Sequence, residues 1–146
     1  MLAVGLPGAL VALWSLGLCA MTLAGPNPYW TQQPVNMSEA AALRDAATVV
    51  NLIRHGADPR EPHPVRAGAL FDHAVTMTPL EAAVAARRPE VVDVILSVRP
   101  PDAAGWTGAA CLARSVPDED IRQVVAAHRP EGAAVDVDCA SYTRPW

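Results

Sequence analysis

The sequence predicts an all-α protein in which a single N-terminal transmembrane helix is followed by a short α-solenoid of about three helix pairs. Two observations support this prediction. First, no charged side chain occurs between Met1 and Ser38. Second, two stretches, one starting at Asn36 and one at Thr78, share one plan: a helix of small residues, then a helix of branched aliphatic residues. Chains that repeat a unit of this kind usually stack its copies into one continuous core.

Residues 2–24 have the composition and length of a membrane-spanning helix, which needs about 20 apolar residues. A secretory signal peptide cleaved after Ala24 is the alternative. Such a peptide has a charged N-terminal region and an apolar core of roughly 7–15 residues, and this segment has neither. We therefore predict that residues 1–25 are an uncleaved, single-pass anchor in a bacterial inner membrane, and that residues 26–35 are a linker.

The charged residues limit which compartment and which class of partner the protein can have. All eleven basic residues are arginine, a bias typical of GC-rich bacterial genes, and the net charge is −4. Because nucleic-acid binding requires a basic face, we predict no nucleic-acid partner. The basic residue nearest to the apolar segment is Arg44, too distant for the positive-inside rule to orient the chain firmly. We expect the repeats to be periplasmic rather than cytoplasmic, since no basic residue lies within about twenty residues after the apolar segment.

Two cysteines, Cys111 and Cys139, lie in the part of the chain beyond the apolar segment. In an oxidising compartment they can pair and tie the C-terminal tail to the last helical unit. The other possibility is that they are two buried small apolar side chains. The sequence leaves both alternatives open.

The copy that starts at Thr78 is the clearer one. Thr78 is the N-cap of a capping box, Pro79 is its first helical residue and Glu81 is the acid at its third helical position. The alanines that follow allow a neighbouring helix to approach closely. A second helix begins at Pro89 and ends before Pro100, because proline cannot continue a helix. Its buried face consists of Val91, Val92, Val94, Ile95 and Leu96.

The other two copies are less regular. Asn36 and Glu39 form an Asn-x-x-Glu version of the capping box, and Gly56 suits the left-handed position after the second helix. A weaker third copy combines a small-residue helix from Thr107 to Ala113 with an acidic helix start near Asp118. After the third copy, residues 131–146 remain as a C-terminal tail.

Three stretches of this sequence resemble ankyrin repeats: Thr78-Pro79-Leu80-Glu81-Ala82-Ala83, Pro89-Glu90-Val91-Val92 and His55-Gly56-Ala57-Asp58. The family pattern runs Thr-Pro-Leu-His-x-Ala-Ala, then Glu-Val-Val-x-x-Leu-Leu, then Gly-Ala-Asp. Glu81 stands where the family usually has histidine, and Met37 replaces the leucine of the first copy. The resemblance covers residues 36–130. It implies a degenerate ankyrin array that binds proteins and has no fixed ligand.

The matching alanines Ala40 and Ala82 lie 42 residues apart, whereas the family repeats every ~33 residues. The surplus lies in residues 59–77, which we call the inserted loop. By the resemblance, this junction is a hairpin that faces partners, so we predict that it is a contact element. Leu70 and Phe71 within it either pack on the repeats or meet a partner. The predicted partner-binding residues are Arg60, His63, Arg66, Leu70, Phe71, His73 and Trp106.

The sequence contains no Gly-rich phosphate loop, nucleophile elbow or Cys-x-x-Cys pair, and the spacing of His63 and His73 matches no metal motif. We therefore predict no enzymatic activity, no cofactor and no metal. The predicted function is that of a membrane-anchored protein-interaction module, an accessory subunit of a larger bacterial membrane complex, with residues 2–24 in the membrane. The alternative is a secreted periplasmic ankyrin protein that binds or protects a periplasmic enzyme.

Overall fold

The chain divides into two units, Met1–Pro34 and Val35–Trp146. The computed structural model describes Val11, Trp14, Ser15, Gly17, residues 35–144 and Trp146. The four described residues of the first unit are helical, and the Ser15 hydroxyl donates a hydrogen bond to the Val11 carbonyl at 2.9 Å.

The predicted fold class, all-α with a membrane-spanning helix, is wrong. Among the described residues, no helix is both long enough and apolar enough to cross a bilayer, and the second unit contains a two-stranded sheet. Most of the predicted span, residues 2–24, lies outside the described residues. Hydropathy reports composition, whereas a span also requires about 20 residues in one helix. The strands have three residues each, too few for alternation to reveal them.

Helices pair, and the pairs stack. Within residues 35–144 the elements are α1 (Met37–Ala42), α2 (Ala46–Arg54), β1 (His63–Val65), β2 (Val75–Met77), α3 (Pro79–Ala85), α4 (Pro89–Val98), α5 (Ala103–Arg114) and α6 (Glu119–Ala127). The first helices form one layer, in which α1 packs on α3 and α3 on α5. The second helices form the other layer, in which α2 packs on α4 and α4 on α6.

The N-caps of α1 and α3 follow the sequence signals. The Asn36 side chain accepts the Glu39 backbone N–H at 2.9 Å, and the Thr78 hydroxyl accepts the Glu81 N–H at 3.2 Å. The Glu81 carboxylate completes its box by accepting the Thr78 N–H at 2.7 Å. Glu39 is different, because its carboxylate pairs with Arg66 instead. The two copies therefore place a capping side chain at the same position, Asn36 or Thr78, but their third-position acids bind different partners.

The turns inside the first two pairs also match. Arg44 and Arg87 both adopt the left-handed backbone region, with φ of 68° and 55°. This conformation costs a non-glycine residue about 1 kcal/mol. The cap residues Asn36 and Thr78 are 42 residues apart, whereas the two arginines are 43 apart, because α3 has seven residues and α1 has six. The extra residue therefore lies in α3, before the turn.

Small side chains form the contact between α1 and α3. Ala40, Ala41, Ala82 and Ala83 are all fully buried, which lets the two helices approach closely. Branched aliphatic residues of the second helices complete the core, among them Val49, Val91, Val92, Ile121 and Val125. The core is therefore continuous through the three pairs.

The last pair is joined differently. The connection between α4 and α5 consists of residues 99–102 only, whereas the connection between α2 and α3 consists of residues 55–78 and contains both strands. Asp102 caps α5 by accepting the Gly105 N–H at 2.7 Å. The helix therefore starts four residues before Thr107, where the small-residue pattern becomes visible. The hairpin occurs once and is not repeated in residues 35–144.

A C-terminal segment, residues 128–144 and 146, covers α5. The Trp106 indole N–H donates to the Ala134 carbonyl at 3.3 Å, and the Arg114 guanidinium donates to the Val137 carbonyl at 2.8 Å. A disulfide joins Cys111 to Cys139, with the Cα atoms 5.4 Å apart. Of the two alternatives for these cysteines, the structure therefore contains the disulfide. This bond links the C-terminal segment covalently to α5.

Candidate functional site

The inserted loop is tied to α1 by one ion pair. Arg66, which follows β1, donates from Nε to Glu39 Oε1 at 2.6 Å and from Nη2 to Oε2 at 3.0 Å. Its backbone N–H donates to the same Oε1 at 3.1 Å. The Glu39 side chain is 3% exposed and the Arg66 side chain 50%. All three of these donors to the buried carboxylate come from a single residue, so the loop and α1 depend on each other.

Two further hydrogen bonds tie both strands to α1. The Asn36 side-chain amide donates to the Pro64 carbonyl at 2.6 Å, and the buried Ser38 hydroxyl donates to the Met77 carbonyl at 2.7 Å. The strands pair antiparallel, with His63 opposite Met77. The base of the loop is therefore held at fixed positions, which leaves the tip as the part available for contacts.

The tip of the loop turns at Gly68, whose φ of 86° is unfavourable for a residue with a side chain. The Gly68 N–H donates to the Phe71 carbonyl at 2.7 Å, which brings Leu70 and Phe71 back towards the helices. Both side chains are half-buried and pack against the core. Both side chains therefore pack on the helix pairs, the first of the two alternatives, and each keeps an accessible edge.

Three rings gather at this tip and form what we call the aromatic cluster (Phe71, His73 and Trp146). The Phe71 ring centroid lies 6.0 Å from that of His73 and 6.5 Å from that of Trp146, with the ring planes inclined by 28° and 26°. Stacking at such distances is favourable. The cluster unites the inserted loop with the last residue of the chain. The only sequence signal for this contact is that a terminal tryptophan is seldom ordered unless it is docked.

Tyr142 shows that the C-terminal segment reaches beyond α5. Its side chain is half-buried and packs against the core. Burial raises the pKa of the Tyr142 phenol, and the negative charge of Glu81 raises it further. Glu81 belongs to the first turn of α3, so the segment passes from the last helix pair to the middle one.

The other predicted contact residues are dispersed. His63 lies in β1 and is half-exposed, and Arg66 anchors the loop. Trp106 is only 5% exposed, because it packs beneath the C-terminal segment. Arg60 is exposed and lines a groove that contains none of the other predicted contact residues. The structure therefore groups Phe71 with His73, keeps Leu70 beside them in sequence, and places Arg60 and Trp106 in different surroundings.

The groove that includes Arg60 has a volume of about 180 Å³, and we call it the Arg60–Arg99 groove. Its apolar wall comes from α3, α4 and α5, and both inter-pair connections contribute a proline. The lining residues are Pro59, Arg60, Leu80, Ile95, Leu96, Arg99, Pro101, Gly105 and Ala109. Sequence reasoning missed it, because the predicted helix started at Thr107 and so concealed how short the connection between α4 and α5 is.

A second cavity, of about 270 Å³, lies between α5, α6 and the C-terminal segment. Its charged residues are already paired: Arg122 contacts Glu119 at 2.6 Å, and Arg114 donates to the Val137 carbonyl. The hydrogen bond from Arg122, followed by its charge, lowers the pKa of the Glu119 carboxyl. This cavity therefore has the character of a packing space beneath the segment.

The described residues do not form a metal centre, because they contain no group of three His, Cys, Asp or Glu side chains that could hold an ion. Shifted pKa values occur at structural positions. The Thr48 hydroxyl, and then the Thr48 backbone N–H, lower the pKa of the Asp45 carboxyl, which caps α2. A lowered pKa at a helix cap reflects a stabilised carboxylate and does not indicate acid–base chemistry.

Comparison with known proteins finds no matching family model, no matching curated protein and no matching solved structure. The function must therefore be inferred from the two surfaces themselves. These are the aromatic cluster, built from two distant segments, and the Arg60–Arg99 groove.

Proposed function

We propose that the Val35–Trp146 unit is a protein-interaction module of the ankyrin-repeat type. The stacked helix pairs, the capped first helices and the hairpin between the first two pairs support this assignment. Repeat arrays of this kind present extended surfaces to protein partners. The aromatic cluster is the single observation that carries the proposal, because aromatic side chains are enriched among the residues that dominate binding energy.

The cluster is prepared for binding before a partner arrives. Phe71 rests against the core on one side, and its neighbours His73 and Trp146 restrict it on the other. Ordering a mobile side chain at an interface costs about 0.5–1.5 kcal/mol. A ring that is already ordered avoids most of this cost. The Glu39–Arg66 pair and the Cys111–Cys139 disulfide fix the two segments from which the rings come.

The disulfide supports an oxidising compartment for this module, since such bonds persist outside the cytosol and are rare within it. Together with the arginine-only basic composition, this favours the bacterial periplasm. A protein subunit of a membrane complex, reached from the periplasmic side, is the first candidate partner. A periplasmic enzyme that the module binds or protects is the second candidate, which the disulfide supports equally.

Site-specific photo-crosslinking in the source cells tests the proposal. A benzoylphenylalanine in place of His73 lies at the exposed edge of the aromatic cluster, and one in place of Asp120 lies on the exposed surface of α6. We expect one discrete protein adduct from position 73 and none from position 120. The identity of the adduct separates the two candidate partners. Equal adducts from both positions, or none from position 73, would contradict the proposal.

A binding measurement with the captured partner then tests the cluster directly. We expect Phe71→Ala to weaken binding at least tenfold, as truncating a central aromatic residue does. Leu43→Ala is the matched control, because Leu43 is also apolar, is 55% exposed and lies outside the cluster. Its affinity should equal that of the native chain. Equal losses for the two variants would show that general surface hydrophobicity, and not the cluster, drives binding.

A further inference from the structure

We infer that the Arg60–Arg99 groove is a docking site for a partner segment that places one aliphatic side chain beside a carboxylate. The inference rests on the proposed function in taking the partner to be a protein. It concerns another part of the surface, since none of the aromatic cluster residues lines the groove.

The groove follows from the unequal connections between helix pairs. Pro59 and Arg60 belong to the long connection after α2, and Arg99 and Pro101 belong to the four-residue connection after α4. The short connection contains no hairpin and leads directly into α5. Because nothing comparable to the inserted loop follows α4, the space between the two connections stays open to solvent.

The size and lining of the groove limit what it can hold. Its apolar wall includes Leu80, Ile95, Leu96 and Ala109, and the last three are less than 5% exposed. At about 180 Å³ it falls below the roughly 300–1,000 Å³ of most small-molecule sites. It has room for about one aliphatic side chain. A peptide anchor therefore fits better than a lipid chain or a cofactor.

The positive charge of the groove indicates which partner group lies beside the partner's aliphatic side chain. Arg60 and Arg99 are exposed, and among the described residues neither forms an ion pair. The described residues that line the groove include no carboxylate, and the nearby Asp102 already accepts the Gly105 N–H as a helix cap. A guanidinium group binds a carboxylate through two parallel hydrogen bonds. The complementary partner group is therefore an Asp or Glu side chain.

Titration of the full-length ¹⁵N-labelled chain with short peptides tests this inference. The probe is acetyl-Gly-Asp-Leu-Gly-amide, compared with one peptide in which Asn replaces Asp and another in which Ala replaces Leu. We expect saturable amide shifts confined to the groove, at Leu80, Gly105 and Ala109. Either replacement should weaken binding at least fivefold, because the Asn peptide lacks the charge that the guanidinium groups bind and the Ala peptide lacks most of the aliphatic side chain.

Variants separate the groove from the rest of the surface. The double variant Arg60→Gln, Arg99→Gln should weaken binding of the Asp-Leu probe about tenfold. Arg129→Gln is the control, since Arg129 is exposed and does not line the groove, and it should bind as the native chain does. Equal binding of the Asn probe, an unaffected double variant, or shifts outside the groove would each overturn the inference.

The outcome is distinguishable from that of the crosslinking experiment, because synthetic peptides are used and the aromatic cluster is unchanged. If position 73 yields no adduct and the Asp-Leu probe still binds, the proposed cluster fails and the groove stands. If the adduct forms and the probe does not bind, the groove fails and the cluster stands.

Discussion

The inserted loop and the C-terminal segment solve the same packing problem in different ways. Each is a long non-helical stretch that lies on the layer formed by α1, α3 and α5 and covers apolar side chains. The inserted loop is held by hydrogen bonds and by the Glu39–Arg66 ion pair. The C-terminal segment is held by hydrogen bonds from Trp106 and Arg114 and, in addition, by the Cys111–Cys139 disulfide. One attachment therefore includes a buried charge pair, whereas the other includes a covalent bond that requires oxidation.

The two segments also meet, at the contact between Phe71 and Trp146. Each segment therefore presents its aromatic ring only while its own attachment holds. Each attachment, and the contact between the two segments, can be removed separately by substitution.

Removing the disulfide should have the largest effect. The bond closes a loop with a sequence separation of 28 residues, for which the entropy of the unfolded chain predicts a loss of about 3.6 kcal/mol. Denaturant unfolding of Cys139→Ala, compared with the native chain with and without reductant, measures this loss. The Arg66 amide should keep its hydrogen-exchange protection in the variant, because the inserted loop is attached separately. Equal stability of the native chain in oxidised and reduced form would show that the C-terminal segment needs no covalent attachment.

Breaking the ion pair should come next. Arg66→Ala removes the two guanidinium donors to the buried Glu39 carboxylate and leaves it only the backbone N–H of residue 66. This loss should cost about 2–3 kcal/mol. Arg60→Ala is the matched control, since Arg60 is an exposed arginine of the same segment and its replacement should change stability by no more than ~0.5 kcal/mol. Equal denaturation midpoints for the two variants would mean that the pair does not hold the loop.

The contact between Phe71 and Trp146 should stabilise the fold by less than either attachment does. A double-mutant cycle of Phe71→Ala and Trp146→Ala should give a coupling free energy of about 0.5–1.5 kcal/mol, typical of stacked aromatic pairs. Pairing Leu43→Ala with Trp146→Ala supplies a control cycle, which should give no coupling. A coupling of zero in the first cycle would show that the two segments reach their positions independently.

The smallest effect should be a pH dependence confined to the C-terminal segment. Burial raises the pKa of Tyr142 above its usual value, so the neutral phenol is favoured in the folded state. The resulting stability is fully present below about pH 10 and is lost as pH rises through the higher folded pKa. The chain contains no lysine, which simplifies this range. The denaturation midpoint should fall more steeply between about pH 9 and 11 in the native chain than in Tyr142→Phe, and parallel curves would contradict the assignment.

Much of the helical framework was predictable, because its signals are local. Asn36 and Thr78 mark the starts of α1 and α3, and Pro89 marks the start of α4. Prediction failed where the signal was short or distant. The strands have three residues each, and α5 begins at the cap Asp102, ahead of the small-residue pattern.

The candidate sites were predictable only in part, for the same reason. The extra length of the inserted loop pointed to Leu70, Phe71 and His73 as neighbours in sequence. Nothing local joins Phe71 to Trp146, which are 75 residues apart, or Arg60 to Arg99 across the groove. Trp106 shows the converse, since its exposure depends on whether a distant segment covers it.

Local sequence was thus sufficient for the N-caps of α1 and α3, for the start of α4 and for the extra length between the first two helix pairs, because each depends on residues within a few positions of one another. The packing of the chain determined the rest. It directed the Glu39 carboxylate to Arg66 and not to its own helix cap, paired the two cysteines, and gathered three rings from two segments. These contacts join residues that only the stacking of the pairs brings together, since burial and close approach are properties of the assembled core.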